Sequence, residues 1–311
     1  MRAWVIGSGG LLGHAIIREA KSRARQSGIP LLIHDAPRIP WSDEAEAIRV
    51  LKEQLDFFAA DVGADPWAVI WAAGSSIVAS DHEQTQVELR IFSALVTAIS
   101  TQLPAQQGTL FVTSSAGGVF AGGVQPPFSA ASSPAPNSPY GRLKLSQEEL
   151  AIEICAPMCS VVIGRFSNLY GPARDKEKQQ GLIQKLCAAT MKRTAINLYV
   201  SMDTVRDYLF VDDAARLAWD AVEASVTRQE PGVELLLLAS GEGASIAEVI
   251  ATVQSVTHRR VPLALGSDPT SDRQVIDLRF IPSLSAEQVA SLTPLPTGVR
   301  RVFDSILGGV A

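Results

Sequence analysis

Apolar residues in this chain form short runs that alternate with longer stretches carrying them three and four apart. Ala3-Trp4-Val5-Ile6 is such a run, closed by a glycine cluster, and predicts a buried strand. Residues 11–25 follow with Leu12, Ile16 and Ala20 four apart, which predicts a helix. Leu31-Leu32-Ile33 predicts a second strand ending at His34-Asp35. Pro37 and Pro40 forbid a helix before Trp41. Ser42 is placed to cap the next helix, with Asp43, Glu44 and Glu46 in its first turn. Ala45, Ile48, Leu51, Leu55 and Phe58 give that helix one apolar face. Residues 68–71 predict a strand, 84–103 a helix and 109–112 a strand. The Gly-, Ser-, Ala- and Pro-rich stretch 114–139 predicts a long loop, the kind that is usually functional or disordered. A helix over 140–154 and a strand over 160–165 come next.

Strands alternating with helices predict βαβ units: the α/β class, with a Rossmann-type doubly wound parallel sheet. After Gly171-Pro172 the alternation loosens into a smaller region. The apolar stretch 233–239 predicts a late buried strand returning to the main sheet. The expected organisation is a nucleotide-binding domain over 1–170, rejoined by about 209–240, and a smaller region from 171–208 and 241–311.

Composition narrows the classes. The chain has 311 residues, 47% hydrophobic and 19% charged, which suits a globular core. A net charge of −5 without a long basic run argues against nucleic acid as a partner. Lys176 and Lys178, with Glu177 between them, predict a solvated loop. No apolar stretch approaches the ~18 residues of a membrane span. Residues 1–6 lack the pattern of a signal peptide, and three cysteines (Cys155, Cys159, Cys187) suit a reducing compartment. The expectation is a cytoplasmic protein with buried thiols and no membrane partner. The four histidines have no metal-ligand spacing, so no metal is expected.

Gly7-Ser8-Gly9-Gly10-Leu11-Leu12-Gly13 lies between the first strand and the first helix. In that place Gly7 makes the tight turn, Gly10 admits a pyrophosphate to the backbone, and Gly13 lets helix and strand pack. The helix N-terminus presents free N–H groups to the phosphates. Asp35, at the end of the second strand, is placed for the ribose hydroxyls and favours NAD; the alternative is an ordinary strand-end aspartate. Arg38 is near enough to take a 2′-phosphate, so NADP is not excluded.

Tyr140 and Lys144 stand four apart on one helix face. An ammonium near a phenol favours phenolate, which makes Tyr140 a usable general acid/base. Alone, Tyr-x3-Lys is usually a solvated face; its position after the glycine turn and a serine-rich strand end gives it weight. Ser114 and Ser115 end the preceding strand, where parallel sheets place their ligands.

With these residues the chain resembles the extended short-chain dehydrogenase/reductase family, specifically its NAD-dependent epimerase/dehydratase group acting on nucleotide sugars. The matches run in order: Gly7-x-x-Gly10-x-x-Gly13, Trp71-Ala72-Ala73-Gly74, the run Thr113-Ser114-Ser115 to Phe120, Ser138-Pro139-Tyr140 with Lys144, Arg165 to Pro172, and Arg206-Asp207-Tyr208 to Asp213. The resemblance implies a catalytic set of Ser115, Tyr140 and Lys144, with Ser115 preferred to Ser114 by its distance from Phe120. It implies that Ala72 and Ala73 flank the cofactor, that Leu11 and Leu12 contact it through their backbone, and that Tyr140 and Lys144 also touch it. The smaller C-terminal region becomes a substrate-binding region, in which Asn168 contacts the substrate's phosphate or sugar and Arg206 its diphosphate. The alternatives are a turn residue at Asn168 and a surface arginine paired to Asp203 or Asp207. A homodimer is implied as well.

The chain departs from the family pattern at four places. The second helix of the nucleotide fold is expected to be missing between Asp35 and Trp41. The acidic adenine contact has no evident counterpart. The asparagine of the helix before the serine strand is absent around Glu88 to Arg90, and Phe120 replaces a tyrosine. The expected function is NAD(P)-dependent epimerisation of a nucleotide sugar through a transient keto sugar. A 4-keto reductase or dehydrogenase and a non-enzymatic NAD(P)-sensing protein are the rival readings.

Overall fold

In a computed structural model, residues 1–27, 31–74, 76, 80–172, 181–228, 231–266 and 275–308 are described. The first half runs β1 (Arg2–Ile6), α1 (Leu11–Ser27), β2 (Leu32–Ile33), α2 (Glu44–Val62), β3 (Trp67–Trp71), α3 (His82–Gln102), β4 (Gly108–Ser115), α4 (Ala116–Phe120), α5 (Pro139–Cys155) and β5 (Ser160–Phe166). The second half runs β6 (Asn168–Tyr170), α6 (Leu182–Lys192), β7 (Ile196–Leu198), β8 (Val205–Phe210), α7 (Val211–Arg228) and β9 (Val233–Leu238). It ends with β10 (Gly243–Ser245), α8 (Ile246–Thr257), β11 (Leu263–Leu265), β12 (Asp277–Leu278), α9 (Ala286–Ala290) and α10 (Leu295–Leu307).

The main sheet has six parallel strands in the order β2-β1-β3-β4-β5-β9, so the fold is α/β and Rossmann-like. The strands are buried as they lie between helices: β3 and β5 have no residue open to solvent. Trp4, Trp67, Trp71, Phe58 and Phe92 fill the core of this layer. From β1 the chain steps out to β2 and then returns past β1 to β3. That reversal makes a crevice at the carboxyl ends of β1 and β3, the place where such sheets bind ligands.

Local differences from expectation have physical causes. Asp43, not Ser42, caps α2: its carboxylate accepts the Glu46 N–H at 3.1 Å. The apolar face of α2 is correspondingly carried by Ala47 rather than Ala45. The segment between Asp35 and Trp41 holds no helix, and α2 alone crosses from β2 to β3. The stretch expected to be loop from Ser114 begins instead with the end of β4 and the one-turn α4. β9 is half-buried over residues 234–236 and buried only at Leu237 and Leu238, with Val233 exposed, because it is an edge strand.

The chain divides into two compact units. One comprises Met1–Phe120, Pro134–Arg165 and Ala215–Leu236; the other comprises Ala121–Ser133, Phe166–Ala214 and Leu237–Ala311. In the second unit β8 pairs with β10 antiparallel and with β12 and β6 in parallel, while β7 pairs with β11. Helices α6, α8 and α10 share a separate apolar core built on Ile183, Leu186, Val249, Val253, Val299 and Phe303. Among the described residues no helix is long and apolar enough to cross a membrane.

Candidate active site

The glycine turn sits at the crevice. Ile6 and Trp71 are paired in the β1–β3 register, so Gly7 and Ala72 leave the two strands side by side. Gly7 has φ +93°, and a Cβ there would lie 2.5 Å from the Ala72 carbonyl oxygen and 2.6 Å from the Ala73 nitrogen. A Cβ on Gly13 would lie 2.3 Å from the Gly7 oxygen. These two glycines are therefore required by the protein's own backbone. Gly10 is different. It is exposed at the start of α1, and a Cβ would meet only the Gly7 oxygen, in ordinary contact at 3.4 Å. Room is left there for a group outside the chain. Leu12 is buried beneath the turn and Leu11 is half-buried. Asp35 and Arg38 both lie exposed on the loop after β2.

The Tyr-Lys pair is built by the start of α5. Ser138 caps this helix by accepting the Gly141 N–H at 3.1 Å, and Pro139 occupies the first turn. Tyr140 follows at once, half-buried, with Lys144 one turn below. The Lys144 Nζ lies 5.8 Å from the centre of the Tyr140 ring. A Cβ on Gly118 would touch the same ring at 3.1 Å, and a Cβ on Gly141 would collide with the Gly118 oxygen at 2.2 Å. Glycine at both positions lets α4 press directly on the start of α5.

The two serines have different surroundings. Ser114 is buried, and its Oγ donates to Glu148 at 2.5 Å. Glu148 is itself clamped by Arg165, with Nη2 at 2.6 Å and Nε at 3.0 and 3.2 Å. Arg165 also lies over Phe120, 5.2 Å from the ring centre, so a fully buried phenyl group is packed against a cation. Ser115 is half-buried, and its Oγ accepts the Gly118 N–H at 3.1 Å, which ties it to the glycine against Tyr140. Ser115, Tyr140 and Lys144 are thus assembled within one unit.

Sequence reasoning missed Glu88, Glu148 and the Gly118–Gly141 contact. Glu88 sits in the inward stripe Thr85, Glu88, Ile91, Phe92 and Leu95 of α3, so a charge at an apolar position was its signal. Glu148 stands four residues from Lys144, a spacing normally read as a surface pair.

In the second unit Asn168 begins β6 and is exposed. Arg206, on β8, is half-buried and pairs with neither Asp203 nor Asp207. Its Nη1 donates to the Val205 carbonyl at 2.8 Å and to that of Ile276 at 3.4 Å. Burial pushes its ionisation down from the ordinary value, against opposing effects of Tyr208 and Asp277. Asp207 is buried and receives the Ser240 and Gly241 N–H groups at 2.9 and 2.8 Å, while burial pushes its carboxyl up. The three cysteines are buried, and burial pushes Cys187 up to about 12, so they suit packing rather than chemistry. Lys176 and Lys178 lie outside the described residues.

Residues 3–233 match the NAD dependent epimerase/dehydratase family, and the chain belongs to that family of enzymes. A dTDP-L-rhamnose 4-epimerase of Burkholderia thailandensis is 30% identical over 118 residues, covering 37% of this chain and 31% of that protein. A UDP-glucose 4-epimerase of Caenorhabditis elegans is 26% identical over 168 residues, covering 49% of this chain and 48% of that protein. The chain thus spans about a third to a half of the curated relatives it matches. The fold is similar to that of the Thermotoga maritima UDP-glucose 4-epimerase solved with UDP-glucose, with a TM-score of 0.75 at 17% identity over 100% of both chains. The Brucella ovis UDP-glucose 4-epimerase in complex with NAD gives a TM-score of 0.74 at 22% identity over 97% of each chain.

Proposed function

We propose that this chain is an NAD(P)-dependent epimerase acting on a nucleotide sugar through a transient keto sugar. The observation that carries the reading is Tyr140 at the start of α5, with Gly118 against its ring, Ser115 hydrogen-bonded to that glycine, and the Lys144 ammonium 5.8 Å from its ring centre. Two related proteins bear the names of nucleotide-sugar 4-epimerases, which favours inversion among the family's reactions.

The residues present fit a dinucleotide, because Gly10 leaves its backbone open where Gly7 and Gly13 are filled by the chain itself. In this proposal Gly7, Gly10, Leu11, Leu12 and Gly13 hold the pyrophosphate through backbone N–H groups. Asp35 takes the ribose hydroxyls and favours NAD, and Ala72 and Ala73 flank the cofactor. Bound NAD supplies reversible hydride acceptance at the sugar carbon. Tyr140 takes the sugar hydroxyl's proton and returns it, Lys144 stabilises the phenolate and holds the cofactor ribose, and Ser115 hydrogen-bonds the same sugar oxygen. Ser114 borders this serine, Asn168 contacts the substrate's phosphate or sugar, and Arg206 contacts its diphosphate. The same resemblance extends the proposal to a homodimer in the cytoplasm.

The test is to incubate the purified protein and NAD with UDP-glucose, UDP-galactose and dTDP-sugars, and to resolve epimers by chromatography. Tyr140→Phe should keep the fold and NAD affinity while turnover falls at least ~10²-fold. Near-unchanged turnover in that variant overturns the assignment of Tyr140.

A further inference from the structure

Glu88 is a buried carboxylate set directly on the candidate lysine. The Glu88 and Lys144 side chains are 6% and 7% exposed. Glu88 Oε1 accepts from Lys144 Nζ at 3.4 Å and from Gln147 Nε2 at 3.3 Å. Its Oε2 accepts the backbone N–H of Ser76 at 3.0 Å. Gln147 Oε1 accepts a second hydrogen bond from Lys144, at 2.9 Å. The same carboxylate packs on Gly74, where a Cβ would lie 3.0 Å from Oε1. One side chain therefore joins three pieces: α3, the segment after Ala72 and Ala73, and the helix that carries Tyr140 and Lys144.

We infer that Glu88 is a positioning residue for the acid–base pair: it fixes the Lys144 ammonium against α3 and offsets part of its charge at Tyr140. The inference rests on the reading of Tyr140 and Lys144 given above. A neutral amide of the same shape would satisfy much of this hydrogen bonding, so what the carboxylate adds is charge. An ammonium favours phenolate at Tyr140, and an anion beside that ammonium opposes it. Two other carboxylates on the helices packed against α3 have cationic partners of their own. On α5, Glu148 is held by Arg165 and Ser114. On α2, Glu44 pairs with Arg90 at the surface. The segment after β3 contributes the Ser76 N–H.

The experiment is a tyrosinate absorbance titration of the protein without substrate, which needs no knowledge of the sugar. The chain has four tyrosines. Burial pushes Tyr170 up and pushes Tyr208 up to about 12, so both ionise late. Subtracting the Tyr140→Phe curve isolates the Tyr140 step. In Glu88→Gln that step should move to lower pH by about one unit, because the ammonium is no longer offset. In Lys144→Gln it should move to higher pH. A step that stays fixed or rises in Glu88→Gln overturns the inference.

Removing one partner of a buried pair can unfold a protein. If Glu88→Gln does not fold, the comparison passes to Glu88→Gln/Lys144→Gln against Lys144→Gln. The double variant buries no unmatched charge at the pair, and its Tyr140 step must still lie at lower pH than that of Lys144→Gln. An equal or higher step overturns the inference. If Tyr140→Phe keeps full turnover on the UDP-sugar probes, the acid–base reading itself falls. If Tyr140→Phe abolishes turnover while the step is fixed in Glu88→Gln, only the role of Glu88 falls.

Discussion

Ser114 and Ser115, adjacent at the end of β4, send their hydroxyls to opposite duties. Ser114 Oγ donates to the buried Glu148 at 2.5 Å, and Ser115 Oγ accepts from Gly118 at 3.1 Å. Successive strand residues face opposite sides, so Ser114 serves the core while Ser115 is turned to the glycine against Tyr140. Ser115→Ala should therefore lower turnover and leave thermal stability nearly unchanged. Ser114→Ala leaves a buried carboxylate one partner short and should cost about 1.5–3 kcal/mol of stability, the range for a hydrogen bond to a charged group. Melting curves and turnover of the two variants check this. The opposite pattern would shift the catalytic register by one residue.

The glycine turn makes a second contrast. Gly10→Val should fold and lose NAD binding, because its side chain enters the space left for the pyrophosphate. Gly7→Ala and Gly13→Ala should instead lose stability, since their Cβ atoms would stand 2.5 and 2.3 Å from backbone oxygens. Melting with and without NAD separates the cases. A folded Gly10→Val protein that still gains stability from NAD would show that the turn is merely structural.

These contrasts also show what was legible in the residues. The strand-turn-helix at Gly7, the alternation that makes the sheet, and the Ser138-Pro139 start of α5 are written in local patterns of spacing and cap chemistry. The face on which Ser114 points depends on the last residue of β4, which the Ser- and Gly-rich composition after Val112 masked. Glu88 and Glu148 were illegible because their partners stand 56 and 17 residues away, at Lys144 and Arg165. Long-range pairing of buried charges leaves no periodic trace; only a carboxylate on an apolar stripe hints at it. The cap of α2 moved by one residue because Asp43 and Ser42 are both competent caps, and Asp43 makes the bond.

Arg206 gives a third expectation. Its guanidinium is half-buried and held by carbonyl oxygens rather than by Asp203 or Asp207, so it suits an incoming anion. A diphosphate contact exists in ground and transition states alike. Arg206→Ala should raise KM for UDP-sugars with kcat roughly kept. Steady-state kinetics over a substrate series measures both. A fall in kcat at constant KM would place Arg206 in the chemical step.

The last expectation concerns what the enzyme does not do. Elimination of water from a sugar needs an acid to protonate the departing hydroxyl and a base for the carbon proton. In the dehydratases this chain resembles, an Asp-Glu pair follows the catalytic serine or threonine. Here Ala116, Gly117 and Gly118 follow Ser115, and no Asp or Glu occurs before Tyr140. The fold brings two distant carboxylates to the neighbourhood, but each is engaged by a cation. Glu148 is clamped by Arg165 and takes the Ser114 hydroxyl, and Glu88 is paired with Lys144. In the proposed mechanism Ser115, Tyr140 and Lys144 would then carry hydride removal and return, without elimination. Mass spectrometry of products from a panel of nucleotide sugars should find masses unchanged. A gain of two hydrogens from supplied NAD(P)H would indicate a reductase. A product lighter by one water would overturn the epimerase proposal and direct attention to Glu88 and Glu148 as the missing acid.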